Sequence, residues 1–149
     1  MSTTVDLLDK GFYKIYSYHF LKSLKKKCLI KKNLLASTFD LKAILKARSI
    51  REFDNLYTAP AHGFKNAAHY WSESSSYAGL PEISIPTFLL HAKNDPFYPG
   101  DLLPSPNTLP KNFYCLYTET GGHVGFNGGT FAGNLSWLPN QVVSFFEQF

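Results

Sequence analysis

Cysteine is scarce in these 149 residues: Cys28 and Cys115 are the only two. They do not make a metal-binding spacing, and sequence alone argues no disulfide between them, so two reduced thiols are expected. No apolar run approaches the ~18 residues needed to cross a bilayer. Met1–Lys10 has no apolar stretch behind a basic start, so no secretory signal is expected and a cytoplasmic location is. The glycine pairs Gly121-Gly122 and Gly128-Gly129 lack the Gly-Lys-Ser/Thr of a phosphate loop. His62, His69 and His91 do not form a ligand set, so no metal and no cofactor is expected. Internal repeats and nucleic-acid-binding modules are missing too. One absence matters most: no serine stands in a Gly-x-Ser-x-Gly setting.

The chain is long enough for one domain with a real core. Hydrophobic residues at 44% and charged residues at 17% are ordinary, whereas 16% aromatic is high. Thirteen Phe and nine Tyr call for wide apolar surfaces, either core or pocket wall. The net charge of +4 conceals two opposed halves. Residues 1–50 carry +8, from eleven Lys/Arg against three Asp/Glu, and residues 51–149 carry −4. A basic half attracts phosphates. The commoner reading of Lys22 to Lys32 is the solvated, C-terminal end of a helix, where lysines favour the dipole.

Hydrophobic spacing predicts a helix over 5–27, with Phe12, Ile15, Tyr16, His19, Phe20 and Leu24 on one apolar stripe. A second helix is expected over 33–46. Residues 48–54 read as a helix-to-loop region, and Pro60 with Gly63 breaks the pattern. A short helix follows over 64–75, with Ala67, Ala68, Tyr70 and Trp71, and then a polar connection. The texture changes at Ile83 to Ala92, a near-continuous apolar run suited to a strand buried on both faces. Pro86 is tolerable near its entrance. The prolines at 99, 104, 106 and 110 make the next connection irregular. A second strand is expected over 113–117, a glycine-rich loop after it, and a closing helix over 137–149 with Leu138, Val142, Phe145, Phe146 and Phe149 on one face. Pro139 suits its first turn. The expected division is a helical, lid-like segment 1–80 and an α/β segment 81–149. A parallel pair of strands normally belongs to a larger sheet, and no further strands are legible here.

Open α/β sheets set reactive groups at the carboxyl ends of their strands. Asp95 follows the first strand and His123 the second, 28 residues later. An acid so placed accepts the Nδ1 proton of an imidazole, fixes its tautomer and steadies the charge it gains as a base. Acid before histidine is also the order that ends an α/β-hydrolase triad. His91, inside the strand, reads as a buried structural residue. Ser72 to Ser76 lie in a polar connection with no elbow to expose one hydroxyl.

His91-Ala-Lys-Asn-Asp-Pro-Phe97, with Gly121-Gly-His-Val-Gly-Phe126, is similar to the C-terminal part of the YheT-like α/β-hydrolases, the AB-hydrolase-four family. Arg51-Glu-Phe-Asp54, Thr58-Ala-Pro60 and His62-Gly-Phe64, with Tyr70 and Ser74-Ser75, resemble that family's cap region. Gly11-Phe-Tyr-Lys-Ile-Tyr16 with Phe20-Leu21 resembles the segment after its sixth strand. The likeness implies an α/β fold, of which this chain is a C-terminal portion: cap helices, the last two parallel strands and the final helix. It implies Asp95 as charge-relay acid and His123 as general base. The family usually has a second acid where Asn94 stands, which leaves Asp95 in the triad position.

What the likeness implies for function is cleavage of esters of short-chain or acylglycerol type. The nucleophile elbow, the oxyanion-hole amides and the first six strands are expected ahead of Met1. The chain is therefore expected to be a truncated or split hydrolase, which leaves open whether it is itself an enzyme. The expected partners are a small-molecule ester and an N-terminal half that supplies the serine. Nucleic acid is not expected, nor is membrane association. The alternative is a catalytically inactive remnant, or a fragment that binds a membrane surface or a partner.

Overall fold

The computed structural model describes residues 2–129 and 133–149. They form two compact units, Met1–Ser75 and Ser76–Phe149.

The first unit is helical. α1 spans Ser2–Leu8 and α2 spans Lys14–Ile30, joined through a 3-10 turn at Gly11–Tyr13. The single helix expected over 5–27 is thus broken. Lys10 is extended and Gly11 turns left-handed at φ 50°, a conformation glycine adopts without steric cost. α2 also turns a different face inward than its stripe predicts. Ser17, Leu21 and Cys28 are buried with Leu24 packed beside them, while Phe12 is 75% exposed and Ile15 and Phe20 about half exposed. The expected stripe runs on into Ser23, Lys26 and Lys27, so it cannot stay apolar along the helix. The face continued by Leu21, Leu24 and Cys28 can.

Short helices complete this unit: α3 Lys32–Leu35, α4 Leu41–Lys46, α5 Ile50–Phe53, α6 Ala59–Ala61 and α7 Ala67–Glu73. The helix expected over 33–46 is divided because Asp40 caps α4, its carboxylate accepting from Ala43 N at 3.0 Å. Ser49 caps α5 by accepting from Glu52 N at 3.0 Å, and Glu52 reaches back to the Arg48 N–H, a reciprocal cap. Residues 50–61, expected to trail into a loop, are helical throughout because a π turn at Asp54–Thr58 links α5 to α6. Pro60 fits the start of α6, where its missing N–H costs little. Leu21, Cys28, Leu35, Ile44, Ala47 and Phe53 form the core, with Phe39 and Tyr57 against it. Ile44 and Phe53 are its largest fully buried side chains, each contributing about 1.5–3 kcal/mol.

The resemblance singled out Arg51 to Asp54, and the structure gives these residues a physical task. Trp71 donates its indole N–H to the buried Asp54 carboxylate at 2.8 Å. Asn55 accepts from Ala67 N at 2.8 Å, at the first turn of α7. Arg51 lies over the Trp71 ring at 4.6 Å and bonds Asp6.

The second unit holds a parallel pair, β1 Thr87–Ala92 and β2 Phe113–Thr118, in register from Thr87↔Phe113 to Ala92↔Thr118. β1 starts later than the apolar run suggests because Pro86 has no N–H to give, and Ile85 is exposed. On one face, Phe88 stacks on Phe145 at 5.2 Å and Tyr114 meets the same ring edge-on, so α8, Trp137–Phe146, covers it. α8 stops short of residue 149, and Phe146 and Phe149 of the expected apolar face stay largely exposed. On the other face, Tyr117 donates to Pro104 O at 2.9 Å, tying the proline-rich connection over the sheet. That connection has two single 3-10 turns, Gly100–Leu102 and Pro106–Thr108. No described helix is long and apolar enough to cross a membrane.

Removing the acceptor at position 54 strands a buried indole N–H. Asp54→Ala is expected to lower unfolding stability by about 1–3 kcal/mol, with Asp54→Asn recovering most of it. Urea unfolding followed by tryptophan fluorescence measures this, and an unchanged midpoint for the alanine variant would contradict the assigned bond.

Candidate active site

β1 delivers Asp95 through a tight turn in which Asp95 N donates to Ala92 O at 3.0 Å. The residue is 2% exposed. A bare carboxylate at such depth is costly, and here both oxygens are occupied. Oδ1 accepts from Phe97 N at 2.7 Å and Tyr98 N at 3.4 Å. Oδ2 lies 2.8 Å from His123 Nδ1. Burial pushes the Asp95 pKa up, but the His123 hydrogen bond and charge, with the Phe97 and Tyr98 N–H groups, outweigh it. The carboxyl is held below the usual carboxylate range.

His123 rides a tight loop after β2. Phe126 N closes the loop on Gly121 O at 2.8 Å. Gly122 sits at φ 62°, and a Cβ at Gly121 would fall 2.6 Å from the Phe126 ring. Glycine is therefore required at both positions by geometry. Phe126 stacks on Trp137 at the start of α8, and Phe97 packs edge-on against the His123 ring at 4.8 Å. The His123 side chain is 56% exposed. With Nδ1 turned to Asp95, Nε2 is the nitrogen left to exchange a proton with another group.

The structure brings together the two residues singled out from sequence, and adds two that were not. Asn94 Oδ1 accepts from Gly121 N at 3.0 Å and Gly122 N at 2.9 Å, so the residue beside the acid also grips the loop of the histidine. Position 94 entered the sequence reading only as a departure from a family pattern, and no spacing rule reveals such a bond. His91 Nε2 lies 2.9 Å from Tyr98 O. A carbonyl only accepts, so Nε2 carries the proton. The same nitrogen is 3.4 Å from Asp95 Oδ2. His91 is partly rather than fully buried, and its four-residue spacing from Asp95 was the available signal. His69 Nδ1 accepts from Lys65 N in the helical unit. No cluster of three or more His, Cys, Asp or Glu suited to a metal occurs among the described residues.

The sequence has relatives among known proteins. The chain is 37% identical to YheT of Escherichia coli over 137 residues, 91% of this chain and 40% of YheT. It is 45% identical to a monoacylglycerol lipase of Saccharomyces cerevisiae over 87 residues, 57% of this chain and 19% of the lipase. It is 26% identical to mouse phospholipase ABHD3 over 134 residues, 89% of this chain and 33% of that protein. No family model and no solved structure matches. The chain is a homologue of esterase- and lipase-type α/β-hydrolases, related to the C-terminal part of the YheT-like AB hydrolases, and spans less than half the length of these relatives. Its helices and parallel pair are an α/β portion of the hydrolase fold.

Two measurements test this local architecture. Asn94→Ala is expected to speed amide exchange at Gly121 and Gly122 by about fivefold or more, since each lost bond is worth about 1 kcal/mol. Asn94→Asp, which keeps an acceptor, should restore protection. Unchanged exchange in the alanine variant would remove Asn94 from this role. The second concerns acid. The folded pKa of Asp95 lies below its unfolded value, so its stabilisation is full above about pH 4 and disappears as pH falls through the folded value. Asp95→Asn should flatten the acid limb of a stability–pH curve by up to about 1.4 kcal/mol per pH unit. Parallel curves for parent and variant would refute the depressed pKa.

Proposed function

We propose that this chain contributes the charge-relay acid and the general base of a serine esterase or lipase site, with Asp95 as acid and His123 as base. The observation that carries the reading is the 2.8 Å contact between His123 Nδ1 and the buried carboxylate of Asp95. In that role Asp95 holds the tautomer with Nδ1 protonated. Nε2 then takes the proton from a serine hydroxyl as its oxygen bonds the ester carbonyl carbon. The same proton passes to the departing alkoxide, and a water repeats the sequence to free the acid.

The serine, its elbow and the oxyanion-hole amides come from a segment or partner bearing Gly-x-Ser-x-Gly, which these 149 residues lack. The substrate class is a short-chain or acylglycerol ester. Its support is the relatives' names, among them monoacylglycerol lipase and a medium-chain fatty acid ethyl ester synthase/esterase. The competing reading, a remnant without activity, has that missing elbow in its favour.

Co-expression with a complementing hydrolase segment that carries the elbow separates the two. Hydrolysis of a p-nitrophenyl ester by the assembled protein should fall by about 10⁴-fold in His123→Ala and in Asp95→Asn. Turnover indifferent to both changes would defeat the proposed role.

A further inference from the structure

The surface of the helical unit carries an open cavity of about 700 Å³, lined largely by exposed side chains, that the proposed ester chemistry does not use. One wall is a face of α2, where Lys14, Tyr18 and Lys22 follow at four-residue steps and therefore line up. Lys46 and Arg48, at the end of α4 and the approach to α5, line it as well. Leu21 and Ala47 give it an apolar floor.

The charges on this cavity are unbalanced. Lys25 spends its ammonium on the Ala47 carbonyl. Asp9 is the one acid in the lining, its Oδ1 3.2 Å from the buried Ser17 hydroxyl, which lies closer, at 2.7 Å, to Leu8 O. The salt bridges among the described residues involve neither Lys14, Lys22, Lys46 nor Arg48. Five cations converging on one concavity with a single carboxylate among them repel one another, and a bound anion relieves that repulsion.

We propose that this cavity binds a phosphate-bearing ligand. A carboxylate offers two acceptor oxygens and one charge. A phosphate ester offers more oxygens and up to two charges, which suits a planar guanidinium set among ammonium groups. The apolar floor and the Tyr18 ring accept the organic group esterified to it. A soluble phosphate ester and the headgroup of an anionic phospholipid share this chemistry, and the flanking side chains Phe12 and Ile15, both well exposed, are compatible with either.

The test is binding by the whole chain, independent of ester cleavage, so it can fail while the triad stands, or the reverse. Glycerol 3-phosphate is titrated by calorimetry, and phosphatidylglycerol vesicles by co-sedimentation against phosphatidylcholine vesicles. At least one phosphate source should bind, more weakly as salt rises past about 0.1 M. Lys46→Gln/Arg48→Gln should weaken it by about tenfold or more. Lys31→Gln/Lys32→Gln removes the same charge at positions outside the cavity lining, and should change it by no more than about twofold. Should loss of Arg48 disturb the entry to α5, Lys14→Gln/Lys22→Gln tests the α2 wall. Binding of glycerol 3-phosphate identifies a soluble ligand, and binding of vesicles alone identifies a lipid headgroup. Absence of both, or equal weakening by the site and control pairs, overturns the proposal.

Discussion

The burial of one carboxylate sets the terms for the Ser76–Phe149 unit. Asp95 is almost fully removed from solvent, and an ionised group there survives only if its lone pairs are taken. Two backbone N–H groups take Oδ1, which fixes the chain through Pro96 to Tyr98. An imidazole takes Oδ2, which fixes where the loop after β2 must end. The parallel register is what makes this feasible. It sets Ala92 beside Thr118 and so brings the two loops out of the sheet side by side. Asn94 then closes the gap between them with bonds to Gly121 and Gly122. Acid, base and sheet are one mechanical object, and loosening any of them leaves a charge buried without a partner.

Much of that object was legible in the sequence because its constraints are local. A continuous apolar run, a turn with an acid, a second short strand and a glycine pair before a histidine each announce their own backbone conformation. What stayed hidden is non-local. That Asn94 would accept from glycines 27 and 28 positions away, and that His91 would lean towards Asp95, depend on register and rotamer. In the helical unit the failure was different. α2 carries two apolar faces, and spacing alone chose the one with the larger aromatics. Packing chose the other because Leu21, Leu24 and Cys28 continue along the helix to meet Leu35 and Ile44. The π turn at Asp54–Thr58 was equally out of reach, since it serves the Asp54 and Asn55 contacts with α7 rather than any local preference.

Both units carry more exposed aromatic surface than their own cores absorb. Phe12, Tyr18 and Phe20 stand out of the first unit, Tyr114, Phe146 and Phe149 out of the second. Within the described residues β1 and β2 pair only with each other. Each strand therefore has one edge of backbone donors and acceptors unmatched, a template for another strand. The chemistry has a parallel deficit. Under the proposed reading the Asp95–His123 couple can move a proton, and these 149 residues offer no Gly-x-Ser-x-Gly serine for it to activate. Under the proposed reading these deficits share one remedy, because a hydrolase segment that supplies the serine also supplies strands for the open edge.

That argument ranks the two units differently. The Asp95–His123 couple is assembled by contacts internal to the Ser76–Phe149 unit, so in this structure its geometry does not wait on a partner to form. Its reactivity does, because water at the exposed imidazole competes with any hydroxyl until a neighbouring surface excludes it. The basic cavity is the reverse case. Its lining residues lie within the helical unit, and its cations need only an anion, so it can act whether or not a nucleophile arrives. A chain of this kind can therefore keep a binding function after losing a catalytic one. Under the two proposals, phosphate binding and ester cleavage draw on different side chains, so either can be lost without the other.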